Sequence, residues 1–237
     1  MKCLAIAKVE LMQSLSAVEF MDWESTSIAL DYLGIENPLE EEYKFYILIE
    51  STGNSQEEIM QEQMLDLLEQ LEDHYEDGVM CDSESQKDQI WHIREGISSA
   101  ASSYGLAFKF DISLESKDFN EIIEITAERV GKFGGRVLGH GHIGDGNLHL
   151  NTVMKGYNDL ENAKAIRGVL QPFVFDYVKS KGGSISAEHG VGLLKTDYLG
   201  HSKSKEMIDY MGRIKKVFDP NGILNPYKVL PESSFSV

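Results

Sequence analysis

Residues 139–152, GHGHIGDGNLHLNT, set three histidines (His140, His142 and His149) on either side of a turn whose tip reads Gly144, Asp145, Gly146, Asn147. Asp-Gly favours a tight turn because glycine accepts positive φ at no steric cost. Residues 136–143 and 148–153 are therefore predicted to form the arms of a hairpin. Side chains alternate between faces along a strand, so His140 and His142 share a face, as do His149 and Asn151. If the arms bring His142 and His149 to the same side, two imidazoles converge near the turn.

A second stretch, residues 186–192, SAEHGVG, supplies Glu188 and His189 among glycines at 182, 183, 190 and 192 that let the backbone approach a bound group. Two neutral imidazoles and one carboxylate, with positions left open, form the ligand set of a catalytic divalent site. The plainer alternative is that these histidines are ordinary strand residues satisfied by hydrogen bonds. The coincidence of HIGDGNLH with AEHGVG in one chain weighs against it.

With 237 residues the chain is long enough for a full core, as one large domain or two small ones. Its 42% hydrophobic and 26% charged residues are ordinary for a globular protein. The formal charge of −17 repels phosphate backbones, which argues against nucleic acid and anionic membrane as partners. Cys3 and Cys81 are far apart and form no CxxC pair. The apolar run after Lys2 is too short for a secretory signal, and no stretch has the length of a membrane span.

Along the chain, residues 1–33 are expected to be helix or extended lead-in. Residues 43–50, YKFYILIE, read as a buried strand. Residues 56–76 carry Ile59, Met64, Leu67, Leu68 and Leu71 at helical spacing above an acidic face. Residues 78–81 form a short strand candidate, and a helix is expected over about 85–102. Residues 106–114, LAFKFDISL, alternate, with Leu106, Phe108, Phe110 and Ile112 on one face and Lys109 and Asp111 on the other. Helices follow over 116–132, about 159–181 and 203–218, and an irregular tail, PNGILNPYKVLP, covers 220–231. The pattern predicts an α+β fold: an antiparallel sheet covered by helices on one side, as a ferredoxin-like cap with a C-terminal helical part. Neither GxGxxG after a strand nor GxxxxGK is present, so nothing in the chain would hold a dinucleotide pyrophosphate.

The blocks WHIREGISSA, FKFDISL, GHGHIGDGNLHLN, SAEHGVGLLK and PNGILNPYK resemble, in this order, the C-terminal half of the flavin-dependent D-2-hydroxy-acid dehydrogenases. The likeness is nearest to the D-2-hydroxyglutarate branch of the vanillyl-alcohol-oxidase-type flavoproteins, which also include D-lactate dehydrogenases and glycolate oxidase. It runs from about Leu15 (LSAVEFMD) to Pro231. The resemblance implies that residues 1–237 are the substrate- and metal-binding domain, with the FAD-binding N-terminal half absent and FAD held mainly by that half or by a separate subunit.

Residue by residue, the resemblance makes His142, His149 and Glu188 the ligands of a divalent ion, Zn²⁺ by expectation, and His189 the catalytic base. It makes Arg94, Ser98, Lys109 and Asn151 contacts of a small 2-hydroxy acid, and places Asn225, and more weakly Lys228, near the flavin. Ser98 stands where close relatives have threonine, and His140 where they often have tyrosine; His140 is left without a role. It also leaves a homodimer open, brings an actin-interacting label as a non-catalytic rival, and implies a mitochondrial or cytoplasmic address.

Oxidising such an acid removes a hydroxyl proton and passes the C2 hydrogen to an acceptor. A metal would acidify the hydroxyl, an imidazole would take its proton near neutral pH, and Arg94 and Lys109 would hold carboxylate charge. Each has a dull counterpart: Arg94 as a surface ion-pair residue, Lys109 as a solvated strand lysine, Asn151 as an edge-strand partner, Glu188 as a helix cap. His189 stays open between base and fourth ligand. The chain alone is expected not to turn over. D-2-hydroxyglutarate is the expected substrate, with D-lactate or glycolate as the alternative.

Overall fold

The histidine hairpin forms the middle of a five-stranded antiparallel sheet in the computed structural model, which describes residues 2–54, 57–155 and 160–235. The strands are β1 (Leu15–Asp22), β2 (Phe45–Ser51), β3 (Gly105–Ser113), β4 (Gly135–His142) and β5 (Asn147–Lys155), in the order β2-β1-β4-β5-β3. The connecting helices are α1 (Lys2–Glu10), α2 (Trp23–Leu33), α3 (Glu57–Gln70), α4 (Glu84–Tyr104), α5 (Phe119–Gly131), α6 (Leu160–Ser180) and α7 (Lys205–Phe218). The helix starts expected at residues 56 and 159 lie outside the described residues.

The turn between β4 and β5 forms as its residues predict. Asp145 Oδ1 accepts from the Asn147 amide at 3.0 Å, and Gly146 adopts φ 79°. The carbonyl of Gly146 then accepts from Leu114 N at 2.9 Å, which ties the turn to the end of β3. Crossing from β3 through α5 to β4, the chain leaves one strand's width that β5 fills, a split β-α-β unit of the ferredoxin-like kind.

Helices cover both faces of the sheet, not one as the sequence suggested. On one face Phe20, Phe108, Phe110, Ile112, Leu148 and Leu150 pack against α5 and α6 through Phe119, Ile122, Leu170 and Phe175. On the other, Met21, Leu138 and Val153 meet Ile28, Ala29, Ile93, Ile97 and Ala100 of α2 and α4. That second face was hard to read because the middle of its strands carries Glu19, Lys109, Asp111, His140, His149 and Asn151. Alternation therefore mimics a sheet with one solvated side. Two smaller expectations also change. Residues 15–22 in the lead-in form strand β1, and the strand candidate at 78–81 is irregular.

Close packing at the β1–α2 corner fixes β4. Asp22 caps α2 by accepting from Ser25 N at 2.7 Å, and its other oxygen accepts from Gly139 N at 2.8 Å. A Cβ at Gly139 would collide with the Ile123 side chain, so any larger residue here would make Ile123 shift where β4 packs against α5. Burial pushes the Asp22 carboxyl from 3.8 up to about 6, although these donors pull it down. Between those values the folded chain binds more protons than the unfolded chain, so this residue's contribution to stability falls as pH rises from 4 to 7, by up to about 3 kcal/mol. Urea titrations are expected to show the wild type losing stability relative to Asp22→Asn as pH rises over this range. A wild type that gains relative to Asp22→Asn would show a carboxylate stabilised in its charged form.

Candidate functional site

Strand register alone brings most of the polar residues of the second face together. His140 lies opposite His149 across β4 and β5, Asn151 opposite Lys109 and His149 opposite Asp111 across β5 and β3, and Glu19 opposite His142 across β1 and β4. Directly opposed residues point to the same side of a sheet, so one patch receives side chains from four strands. α4 closes the patch with Arg94 and Ser98, and the loop after α6 brings Glu188 and His189. The result is a pocket of about 180 Å³ lined by Arg94, Ser98, Lys109, Asp111, His149 and Glu188, together with His140, His142, Asn151 and His189. At roughly 30 Å³ per water, this is the space of about six waters. That suits a small acid.

The residues expected as metal ligands come close together. His149 Nε2 lies 3.3 Å from Glu188 Oε1, His189 Nε2 lies 3.4 Å from the same oxygen, and His142 Nε2 lies 4.0 Å from Glu188 Oε2. Two donors each about 2.1 Å from one tetrahedral ion stand roughly 3.4 Å apart, so this spacing fits a divalent cation. Asp111, His149, Glu188 and His189 also present donor atoms that all lie within 4.8 Å of one another. His149 and Glu188 belong to both groupings. The rings of His149 and His189 stack at 5.5 Å, and those of His142 and His149 meet edge-on at 5.6 Å.

Burial favours the neutral form, the one that ligates metal, at His140 and His149. Desolvation holds His140 well below its ordinary value and also lowers His149, against the pull of Glu188. His140, 1% exposed, sits 5.1 Å from the His149 ring.

Two carboxylates that the motif reading passed over hold these groups. Glu19, 4% exposed, places Oε1 2.8 Å from His142 Nδ1, while its Oε2 accepts from Arg94 Nε at 3.0 Å and lies 2.7 Å from Nη2. Arg94 is thus no surface ion-pair residue; it is buried and faces Glu19. Asp111 accepts from the amides of Glu188 and His189 at 3.0 and 2.8 Å through Oδ2, and Oδ1 lies 4.0 Å from His149 Nδ1. Neither role shows in a motif, because Glu19 and Asp111 lie far in sequence from what they hold. Lys195 completes the frame by donating to Ser186 Oγ at 3.1 Å.

The remaining candidates divide. Lys109 Nζ donates to Ser102 Oγ at 2.9 Å and to the Ser98 carbonyl at 3.3 Å, at the pocket's rim on α4. Asn151 sits in β5, between β4 and β3, so its reading as an edge-strand residue is overturned. Glu188 caps no helix. Asn225 and Lys228 lie apart from the pocket on the tail, where Lys228 Nζ donates to Asn225 Oδ1 at 3.1 Å. The tail rejoins the site loop where Val229 N donates to the Gly192 carbonyl at 2.8 Å.

Residues 3–229 match the family model described as FAD linked oxidases, C-terminal domain. The chain belongs to this family. Among curated relatives, it is 45% identical over 235 residues to a probable mitochondrial D-2-hydroxyglutarate dehydrogenase of Oryza sativa subsp. indica, covering 98% of this chain and 41% of the relative. It is 42% identical to the mitochondrial D-2-hydroxyglutarate dehydrogenase of Arabidopsis thaliana, again covering 99% of this chain and 41% of that one. A putative mitochondrial D-lactate dehydrogenase of Schizosaccharomyces pombe is 39% identical over 96% of this chain and 45% of its own. The chain thus spans less than half the length of these relatives.

A solved structure of 4-ethylphenol oxidase from Gulosibacter chungangensis matches 98% of the chain and 52% of its own, with TM-score 0.61 and 16% identity. That likeness establishes the fold of this FAD-linked oxidase domain. It carries no chemistry.

In this domain the Glu188–His189 loop hangs on one carboxylate. Hydrogen bonds to a charged acceptor contribute about 1.5–3 kcal/mol. Asp111→Ala is therefore expected to raise hydrogen exchange at the Glu188 and His189 amides by about 10–100-fold while the β4–β5 ladder stays protected. Unchanged exchange at those two amides would detach the loop from Asp111.

Proposed function

We propose that the chain is the substrate- and metal-binding half of an FAD-dependent dehydrogenase that oxidises a D-2-hydroxy acid, D-2-hydroxyglutarate first among them, with FAD carried by the remainder of a longer protein or by a second chain. The observation that carries this reading is the convergence of His142, His149 and Glu188 in the same small pocket as Arg94, Lys109 and Asn151. The family membership and the names of the plant relatives support it, and the mitochondrial names of those relatives support a mitochondrial address.

Charge supports it as well. Arg94, Lys109 and Lys195 balance Glu19, Asp111 and Glu188, so the site is neutral before anything binds. A divalent cation would leave +2, the complement of a hydroxy dicarboxylate. The D-lactate reading rests on the fission-yeast relative, and comparing rates on the two acids separates them.

His142, His149 and Glu188 would hold a divalent ion, which would supply Lewis acidity toward the substrate's oxygens; FAD, when bound, would supply the acceptor for the C2 hydrogen. The chain's own residues do the rest. His189, exposed at the pocket, takes the hydroxyl proton at Nε2; Asn151 and Ser98 orient the acid; Lys109 and the edge of the Arg94 guanidinium hold its carboxylates. The pocket is too small to contain a flavin as well.

A second surface fits a flavin-bearing half. Helix α7 is amphipathic, yet Met207, Tyr210, Ile214, Val217 and Phe218 face outward, the last two 76% and 77% exposed. Ile223, Leu224 and Tyr227 continue the apolar face along the tail that carries Asn225 and Lys228. Asn225, Tyr227 and Val229 there adopt positive φ, which is rare for a β-branched residue such as valine and fits a tail shaped by a partner.

Elemental analysis of the purified chain is expected to find about one divalent ion per molecule, and His142→Ala is expected to lose it. The chain alone is expected to give no turnover of D-2-hydroxyglutarate with a dye acceptor, and to gain it when the flavin-bearing half is supplied. Turnover without flavin, or metal retained by both His142→Ala and Glu188→Ala, would overturn the proposal.

A further inference from the structure

We infer that Glu19 is a positioning residue that decides which nitrogen of His142 faces the cation and, with the same carboxylate, where Arg94 stands. The inference rests on the reading that His142 ligates a metal. Glu19 is buried in β1, and both its oxygens are engaged: Oε1 with His142 Nδ1 at 2.8 Å, Oε2 with Arg94 Nε at 3.0 Å and Nη2 at 2.7 Å. A carboxylate facing Arg94 offers acceptors only, so the proton of a neutral His142 must sit on Nδ1. Nε2 is then left with its lone pair, on the side of the ring that faces Glu188.

Carboxylates commonly fix ligand histidines in this way. What sets Glu19 apart is that one group orients a metal ligand and a substrate-facing arginine together. A shift at either end is felt at the other through two oxygens bonded to the same carbon. Asp111 stands in a looser version of the same relation to His149, with 4.0 Å between Oδ1 and Nδ1.

Glutamine tests this because an amide has one acceptor atom and one donor group. With its carbonyl toward Arg94, the NH₂ meets His142 Nδ1 and forces the proton to Nε2, which removes the ligating lone pair. In the opposite orientation the NH₂ points at the guanidinium. Long-range ¹⁵N–¹H spectra of the metal-free full chain are expected to show His142 as the Nδ1–H tautomer, and Glu19→Gln to lose that preference. Competition with a chromophoric chelator is expected to give a Zn²⁺ affinity about 10–100-fold weaker for Glu19→Gln. In a His142→Ala background the same change is expected to add nothing further.

If Glu19→Gln fails to fold because it leaves Arg94 unpaired, Glu19→Met with Arg94→Met removes both buried partners, leaves no acceptor at position 19 for Nδ1–H, and keeps the His142 spectrum as the readout. A wild-type tautomer in these variants, or an equal loss of Zn²⁺ affinity with and without His142, would overturn the role of Glu19. A wild type that binds no Zn²⁺ yet shows the Nδ1–H tautomer, lost on substitution, would instead overturn the metal reading and leave Glu19 as the residue that sets His142.

Discussion

The antiparallel register that sets His140 opposite His149 governs the rest of the site. Side-chain direction in a sheet has a period of two, so slipping this pair by one residue would turn His149 and Asn151 into the hydrophobic layer beneath α5 and α6. The register is held by groups outside the hairpin. Asp22 clamps the Gly139 amide, and the Gly146 carbonyl accepts from Leu114, so the turn end of the pairing is fixed by neighbouring elements. The apolar layer of Leu148, Leu150 and Val137 on the far side makes any other register costly.

Upon that frame the site is assembled by carboxylates in buried or partly buried positions. Glu19 joins His142 to Arg94, Asp111 ties the Glu188–His189 loop to β3, and neither faces solvent. Buried charges of this kind contribute little net stability when paired, but removing one partner is expensive. Their arrangement therefore favours one geometry over many near neighbours. The helices α2 and α4 provide the dry surroundings in which such pairing holds, which is why the helical layer missing from the sequence reading matters for function as well as fold.

Much of the site was legible because its groups fall in short contiguous motifs. HIGDGNLH announced its own hairpin, and AEHGVG carried both a carboxylate and an imidazole amid glycines. The alternation of LAFKFDISL separated Lys109 and Asp111 from the core side correctly. Illegible parts depended on partners distant in the chain. Glu19 lies in LSAVEFMD, which reads as an ordinary half-buried strand, and its meaning appears only once β1 pairs with β4. The hairpin reading brought His142 to His149, and their rings do meet edge-on at 5.6 Å, but it did not show that His140 is the residue directly opposite His149. Residues 78–81 show the opposite error: they read as a strand but pair with none of the five and remain irregular.

The outward side of α7 also bears on how the molecule behaves in a crowded tube. Five large apolar side chains on one helix invite copies to stick, while a net charge of −17 holds them apart. That repulsion reaches only about 10 Å in 0.1 M salt and about 3 Å in 1 M. Colloidal behaviour is thus governed by ionic strength: dilute buffer keeps the domain dispersed, and concentrated salt lets greasy surfaces find one another.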